Sequence, residues 1–172
     1  MNEKETQIKR FEITKNSCGE FALNTNINNY NLSQYNVSDT SAYLSEDNDE
    51  LTKGKILNFE KNESLCLWLY NDTISEILIR TSQFMTKDNI RVGLGFNELF
   101  NKIEKLDIQI DNEWGLTIYI KDMNMVLSIS NSGEDDLTID EVNSIYAKKP
   151  NINKEKLEKM KVNSIRILNY VD

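Results

Sequence analysis

The fold turns on Val92-Gly93-Leu94-Gly95-Phe96-Asn97-Glu98-Leu99, because this stretch can be laid over Leu23-Asn24-Thr25-Asn26-Ile27-Asn28-Asn29-Tyr30 with its apolar positions in phase. Each copy stands between a strand-like run and a later pair of strands, the pattern of an internal repeat. Phe96, Leu99, Phe100 and Ile103 fall at i, i+3, i+4 and i+7, the stripe of a short amphipathic helix. Further along, Lys55-Ile56 matches Lys105-Leu106 and the hairpin Leu65–Leu69 matches Leu116–Ile120, at offsets of 50 (105 − 55) and 51 (116 − 65). The chain is therefore expected to be α+β, with two related antiparallel sheet units, each with a short amphipathic helix, produced by internal duplication. The first unit is placed at residues 1–73 and the second at 74–172.

Alternation is clearest in Leu65, Leu67, Leu69 and in Leu116, Ile118, Ile120, which assigns those faces to the interior. Strands are expected over residues 8–14, 55–60, 64–70, 75–81, 107–110, 115–120, 125–130 and 162–170. Thr138 and Glu141 form an S/T-x-x-E capping box ahead of Val142, Ile145 and Tyr146, and Pro150 ends that helix. Residues 153–160 alternate Lys and Glu around Leu157 and Met160, the pattern of a solvated surface helix. Leu67, Ile77, Phe96, Leu99, Phe100, Ile118 and Ile129 are the expected core.

From Tyr30 to Lys55 the first unit takes 25 steps, whereas from Leu99 to Lys105 the second takes 6, so an acidic insertion is expected at about residues 31–54. Loops this long in compact domains tend to be functional or disordered. The segment holds Tyr35 and Tyr43, with Asp39, Glu46, Asp47, Asp49 and Glu50 against Lys53 alone, so half of the net charge of −8 falls here. Tyrosines offer contact area at little entropic cost, and clustered carboxylates speed encounter with a basic surface. Tyr35, Tyr43, Glu46, Asp47, Asp49 and Glu50 are therefore the candidate partner contacts, followed by the hairpin face bearing Trp68 and Tyr70. Trp68 is out of phase with Leu67 and Leu69, and it is core if its face is covered.

Composition narrows the function classes. With 172 residues and 39% hydrophobic content there is material for one substantial core or two fused units. The excess of 28 acidic over 20 basic residues disfavours nucleic acid as a partner. The absence of histidine removes the commonest general base, the Ser-His-Asp and Cys-His arrangements and every histidine metal site. Cys18 and Cys66 belong to no CxxC pattern and read as buried thiols. Residues 1–10 carry no apolar run and no segment of about 18 apolar residues occurs, which points to a cytoplasmic protein with no membrane partner. The abundance of Lys, Asn and Ile looks like the codon bias of an AT-rich genome, and it accounts for the sequons at Asn31, Asn36, Asn62 and Asn71 without glycosylation.

The chemical motifs reduce to structural ones. Gly93-Leu94-Gly95 opens like a phosphate loop, yet Glu98 stands where its third glycine belongs and would repel a phosphate. A tight turn whose two glycines take positive φ explains it better. Glu46-Asp47-Asn48-Asp49-Glu50 lacks EF-hand spacing, with Leu51 at the fifth ligand position. Asp140 and Glu141 fit the positive end of the helix dipole. No cofactor, metal or catalytic residue is expected.

Four segments carry a resemblance. Phe21, Leu23, Ile27 and Tyr30 give F-x-L-x-x-x-I-x-x-Y, and Ile74, Ile77 and Ile79 give I-x-x-I-x-I. Ile90, Val92, Gly93, Gly95, Glu98 and Leu99 then form a strand, turn and helix start, and Ile165-Arg166-Ile167 closes the pattern. In these apolar and glycine positions, spread over most of the chain, the sequence resembles the small cytoplasmic immunity proteins encoded beside bacterial polymorphic toxins. The resemblance implies a non-enzymatic protein that binds and neutralises a cognate toxin, and an acidic surface would suit a basic nuclease cleft. Asn24 stands where the first motif often has Gly, and Asn also tolerates positive φ. Two other classes stay open: a small carboxylate-dependent hydrolase, and a structural or scaffold domain of a phage or secretion apparatus. Converging carboxylates in a pocket would favour the former, a symmetric ring or filament the latter.

Overall fold

The computed structural model describes residues 11–43, 51–59, 62–103, 108–111, 116–130, 137–147 and 149–169. A small hairpin, β1 (Ser17–Cys18) and β2 (Phe21–Ala22), precedes β3 (Asn36–Ala42), β4 (Thr52–Asn58), β5 (Ser64–Tyr70) and β6 (Thr73–Arg80). Helix α1 (Phe96–Ile103) leads to β7 (Ile108–Asp111), β8 (Thr117–Ile120) and β9 (Met125–Ser130). Helices α2 (Ile139–Tyr146) and α3 (Lys154–Lys159) intervene before β10 (Lys161–Leu168). β3 to β10 form one antiparallel sheet of eight strands in the order β3-β4-β5-β6-β10-β9-β8-β7. The two units therefore share a single sheet.

The repeat is written in the backbone. Asn24 N–H donates to Ile74 O at 2.9 Å, Ile27 N–H to Asp72 O at 2.8 Å, and Ile74 N–H to Thr25 O at 3.0 Å. The second copy repeats each bond: Gly93 N–H to Val162 O at 2.8 Å, Phe96 N–H to Met160 O at 3.0 Å, and Val162 N–H to Leu94 O at 2.9 Å. Asn24 and Gly93, aligned by sequence, both have left-handed φ, 61° and 83°. Asn serves at the first position because its side chain tolerates that region. Gly95, by contrast, is not in the positive-φ region, so the turn needs one such residue per copy and not two.

Strand by strand, β3, β4, β5 and β6 correspond to β7, β8, β9 and β10. The pairs Leu65↔Ile79 and Leu67↔Ile77 become Met125↔Ile167 and Leu127↔Ile165, and Leu57↔Leu65 becomes Ile120↔Met125. Even the irregularity recurs, with Ser75 skipped opposite Trp68/Leu69 and Asn163 skipped opposite Ser128/Ile129. A bulge kept in both copies is a built feature, since each would otherwise flip the alternation beyond it. β6 and β10 pair about a local two-fold: exchanging the copies turns Ile79↔Ile165 into Ile167↔Ile77 and leaves Leu78↔Arg166 unchanged.

Four expectations are corrected by this register. Leu116–Ile120 is the counterpart of Lys53–Leu57 and not of Leu65–Leu69, so the expected pairing was one strand out. β6 belongs with the first copy, which moves the boundary from 73/74 to the end of Arg80. The supposed insertion at 31–54 holds β3 and the start of β4, with a 3₁₀ turn at Leu32–Gln34 before them. The first copy's helix is a single 3₁₀ turn, Ile27–Asn29, capped by Asn26 and followed at once by Asn31, which caps the next turn. Asparagines compete for backbone hydrogen bonds and favour caps over helix interiors.

One face of the sheet carries the core. Leu57, Leu65, Leu67, Ile77, Ile79, Ile118, Ile120, Leu127, Ile165 and Ile167 are fully buried there, joined by Ile13, Phe21, Ile90, Phe96, Leu99 and Ile145 from the covering segments. All seven expected core residues are buried. The capping box is present, with Thr138 Oγ1 accepting from Glu141 N–H at 3.2 Å and Glu141 Oε2 accepting from Thr138 N–H at 2.8 Å. α3 is the surface helix its Lys/Glu pattern describes, capped by Asn153.

Candidate functional site

The chain reverses twice at one end of the first copy. β3 leaves at Ala42, paired with Thr52, where β4 begins. β5 ends at Tyr70 and turns into β6 through Asn71-Asp72, whose φ values of 48° and 59° are those of a tight two-residue hairpin. Three large side chains meet the solvent here: Tyr43 is 64% exposed, Leu51 54% and Tyr70 69%. Between the strand ends lies an open groove of about 990 Å³ whose lining includes Lys53, Lys55, Asp39, Leu69 and Tyr70. Across it Lys55 Nζ donates to Asp39 Oδ1 at 2.5 Å.

The second copy explains why the groove is open. Lys53, Lys55 and Leu69 correspond to Leu116, Ile118 and Ile129, all of them buried. The difference lies in the connection to the last strand, which is the two-residue turn Asn71-Asp72 in the first copy and residues 131–160, with α2 and α3, in the second. That excursion adds Ile145 and, half-buried, Leu137, Ile152 and Leu157 to the core. Without such a cover the first copy has lysines where the second has Leu and Ile, as hydration requires.

The expected site residues separate into three places. Tyr70 lines the groove, whereas Tyr43, one residue past the end of β3, is exposed but not part of that lining. Glu46, Asp47, Asp49 and Glu50 lie outside the described residues, in the connection from β3 to β4. Tyr35 sits at the other end of β3, half-buried against the rings of Phe21 and Phe59, with its hydroxyl hydrogen-bonded to Glu20. Trp68 is a correction: it is 7% exposed and clusters with Cys66, Leu78, Ala42 and Ile56, so it is core and not a docking residue. Its ring lies over its cross-strand partner Gly54, where an added Cβ would stand 2.9 Å from Trp68 Cε3. A glycine beneath an aromatic side chain buries the ring through its own neighbours on the sheet. Leu51 was not singled out from sequence, since only the strand register carries it to the groove.

The cysteines are not activated for attack. Burial pushes the Cys66 thiol up to about 11, helped by the charge of Glu76 and opposed by Arg80. Cys18 is raised well above its usual range by burial. Both thiols stay protonated near neutrality and are poor nucleophiles there. Burial also raises the Glu76 carboxyl, against the lowering effect of Arg166, whose Nε is 3.5 Å from Glu76 Oε1. The partner of that raised carboxyl is thus a guanidinium and not a second carboxylate. The other two shifted carboxylates move down: Glu63 through hydrogen bonds led by the Thr81 hydroxyl, and Glu141 through Thr138 N–H, Asn153 N–H and Lys156. Among the described residues no group of three His, Cys, Asp or Glu could hold a metal ion, and no helix is long and apolar enough to cross a membrane.

No family model matches the chain, and no curated protein matches it. In fold it is similar to the crystal structure of the uncharacterized protein yfeY from Escherichia coli. The TM-score is 0.62 at 13% identity, over 92% of this chain and 99% of that one. Identity that low, with coverage that complete, carries the architecture alone.

Proposed function

We propose that the chain is an immunity protein of a bacterial toxin system, cytoplasmic and without catalysis, which neutralises a cognate protein toxin by binding it. The observation that carries this reading is the groove end of the first copy, where Leu51 and Tyr70 line the groove and Tyr43 follows the end of β3, all three more than half exposed. Exposed aromatic side chains around a polar floor have the anatomy of a reversible protein interface. The acidic connection of residues 46–50 leaves from the same strand ends, and its charge would steer a basic toxin toward the tyrosines. The test is binding to the product of the adjacent gene, with growth rescue in parallel. The Tyr43→Ala/Tyr70→Ala double variant should weaken binding by about 30- to 1000-fold, typical of two central aromatic anchors. Lys substitutions at Glu46, Asp47, Asp49 and Glu50 should slow association and weaken its salt dependence. Unchanged affinity and protection in both variants would refute this docking site.

A further inference from the structure

At the opposite end of β3 and β4 from that groove, five aromatic rings line one pocket of about 440 Å³. Phe21, Tyr35, Phe59, Phe84 and Phe11 follow one another in an unbroken chain of ring contacts, with centroid separations of 5.7, 6.2, 5.8 and 6.0 Å. The carboxylate of Glu20 shares the lining and is held in place, its Oε1 accepting from the Tyr35 hydroxyl and from Gln34 Nε2 at 3.2 Å. The other described lining groups are side-chain amides, and no Lys or Arg is among them.

Aromatic faces are negative, the amides offer oxygens as well as donors, and the one charged group in the lining is a carboxylate, so its charge balance favours a cation. A simple metal ion would be a poor match, because rings cannot replace its tightly held water. An ammonium centre shielded by carbon is the better match, since its apolar surface gains from the rings and its diffuse charge costs less to desolvate. We propose that the pocket binds a small organic ammonium ion, with its alkylated nitrogen against the rings of Tyr35 and Phe59 and Glu20 as counter-ion. The volume lies within the range of small-molecule sites. The site is independent of the proposed toxin interface, being at the other end of the strands, so either can fail without the other.

The test is titration of the full chain with choline and with its neutral carbon isostere, followed by the shifts of the aromatic and backbone NMR resonances. Choline should bind with a dissociation constant of about 1 mM or tighter, and at least about tenfold better than the isostere. Glu20→Gln, which keeps the shape of an exposed side chain, should weaken choline binding by about tenfold and leave the isostere unaffected. The proposal is overturned by the absence of perturbation around Tyr35 and Phe59 at about 50 mM choline, a concentration far above that dissociation constant. Equal binding of the isostere would make the pocket merely apolar and overturn it too, as would indifference to Glu20→Gln.

Discussion

Glu141→Gln tests how the second copy keeps its cover. Glu141 accepts from Thr138 N–H at 2.8 Å, from Asn153 N–H at 3.2 Å and from Lys156 Nζ at 3.1 Å, so one carboxylate joins the start of α2 to the start of α3. Those donors, the Thr138 N–H foremost, pull its carboxyl down from 4.5 to about 2 against the opposing effect of burial. A depressed folded pKa means that the stabilisation is complete above about 4.5 and is lost as pH falls toward 2. The full shift corresponds to about 3 kcal/mol at most. Solvent at the partly open edge reduces this, and the amide retains one acceptor oxygen, so about 1 to 2 kcal/mol is expected for the substitution at pH 7. In a chain of this size that is a fall of about 2–8 °C in melting temperature. Urea unfolding of the natural chain and the variant should be run from pH 7 down to pH 2. The two midpoints should converge as the natural carboxylate protonates. A difference that stays constant across that range would show that the loss is one of packing and that the carboxylate hub is not what holds α2 to α3.

Leu99→Ala should cost about 2 to 5 kcal/mol in denaturant unfolding, because Leu99 is fully buried on the inward face of α1, and a loss below about 0.5 kcal/mol would contradict that placement. Gly54→Ala pushes a methyl into the Trp68 ring and the Leu67 carbonyl oxygen, at 2.9 and 3.1 Å, and should cost about 1 to 3 kcal/mol, with red-shifted Trp68 emission in a Trp114→Phe background. Glu76→Gln should act oppositely to Glu141→Gln. A carboxyl raised by burial stabilises the fold below its unfolded pKa and less as pH rises, so the amide should raise the urea midpoint at pH 8 relative to pH 4.

The sequence was most legible where a pattern is local. β5 and β9 fall at the expected bounds because both are runs of β-formers closed by turn residues, and the Thr138 box fixes its helix start by chemistry that spans four residues. The turn around Asn24 and Gly93 was legible as a repeat for the same reason. The strand offset was not, since alternation carries no strand number: Leu65–Leu69 and Leu116–Ile120 share a period although they are different strands of their copies. β3 was missed because a mostly polar edge strand, Asn-Val-Ser-Asp-Thr-Ser-Ala, has no apolar alternation to find. Trp68's burial depends on Gly54, a residue from the neighbouring strand. The aromatic pocket draws its rings from separate segments, so no single window of sequence contains it.

The divergence of the two copies bears on what sort of partner the first can have. Had Lys53 and Lys55 stayed apolar like Leu116 and Ile118, the groove would be a hydrophobic face needing a permanent cover. The Lys55–Asp39 pair instead leaves a floor that water satisfies, and an exposed pair of this kind contributes little stability of its own. Among the described residues the large exposed apolar side chains at this end are Tyr43, Leu51 and Tyr70, an area of the kind that anchors a partner without making a free chain aggregate. A chain that acts as proposed above must be stable both alone and bound. On that reasoning replacing Lys53 and Lys55 by Leu and Ile, which restores the second copy's floor without its helices, should drive self-association of the free chain, visible as a concentration-dependent mass by sedimentation. A variant that stayed monomeric would show that the lysines are not what keeps this face solvated.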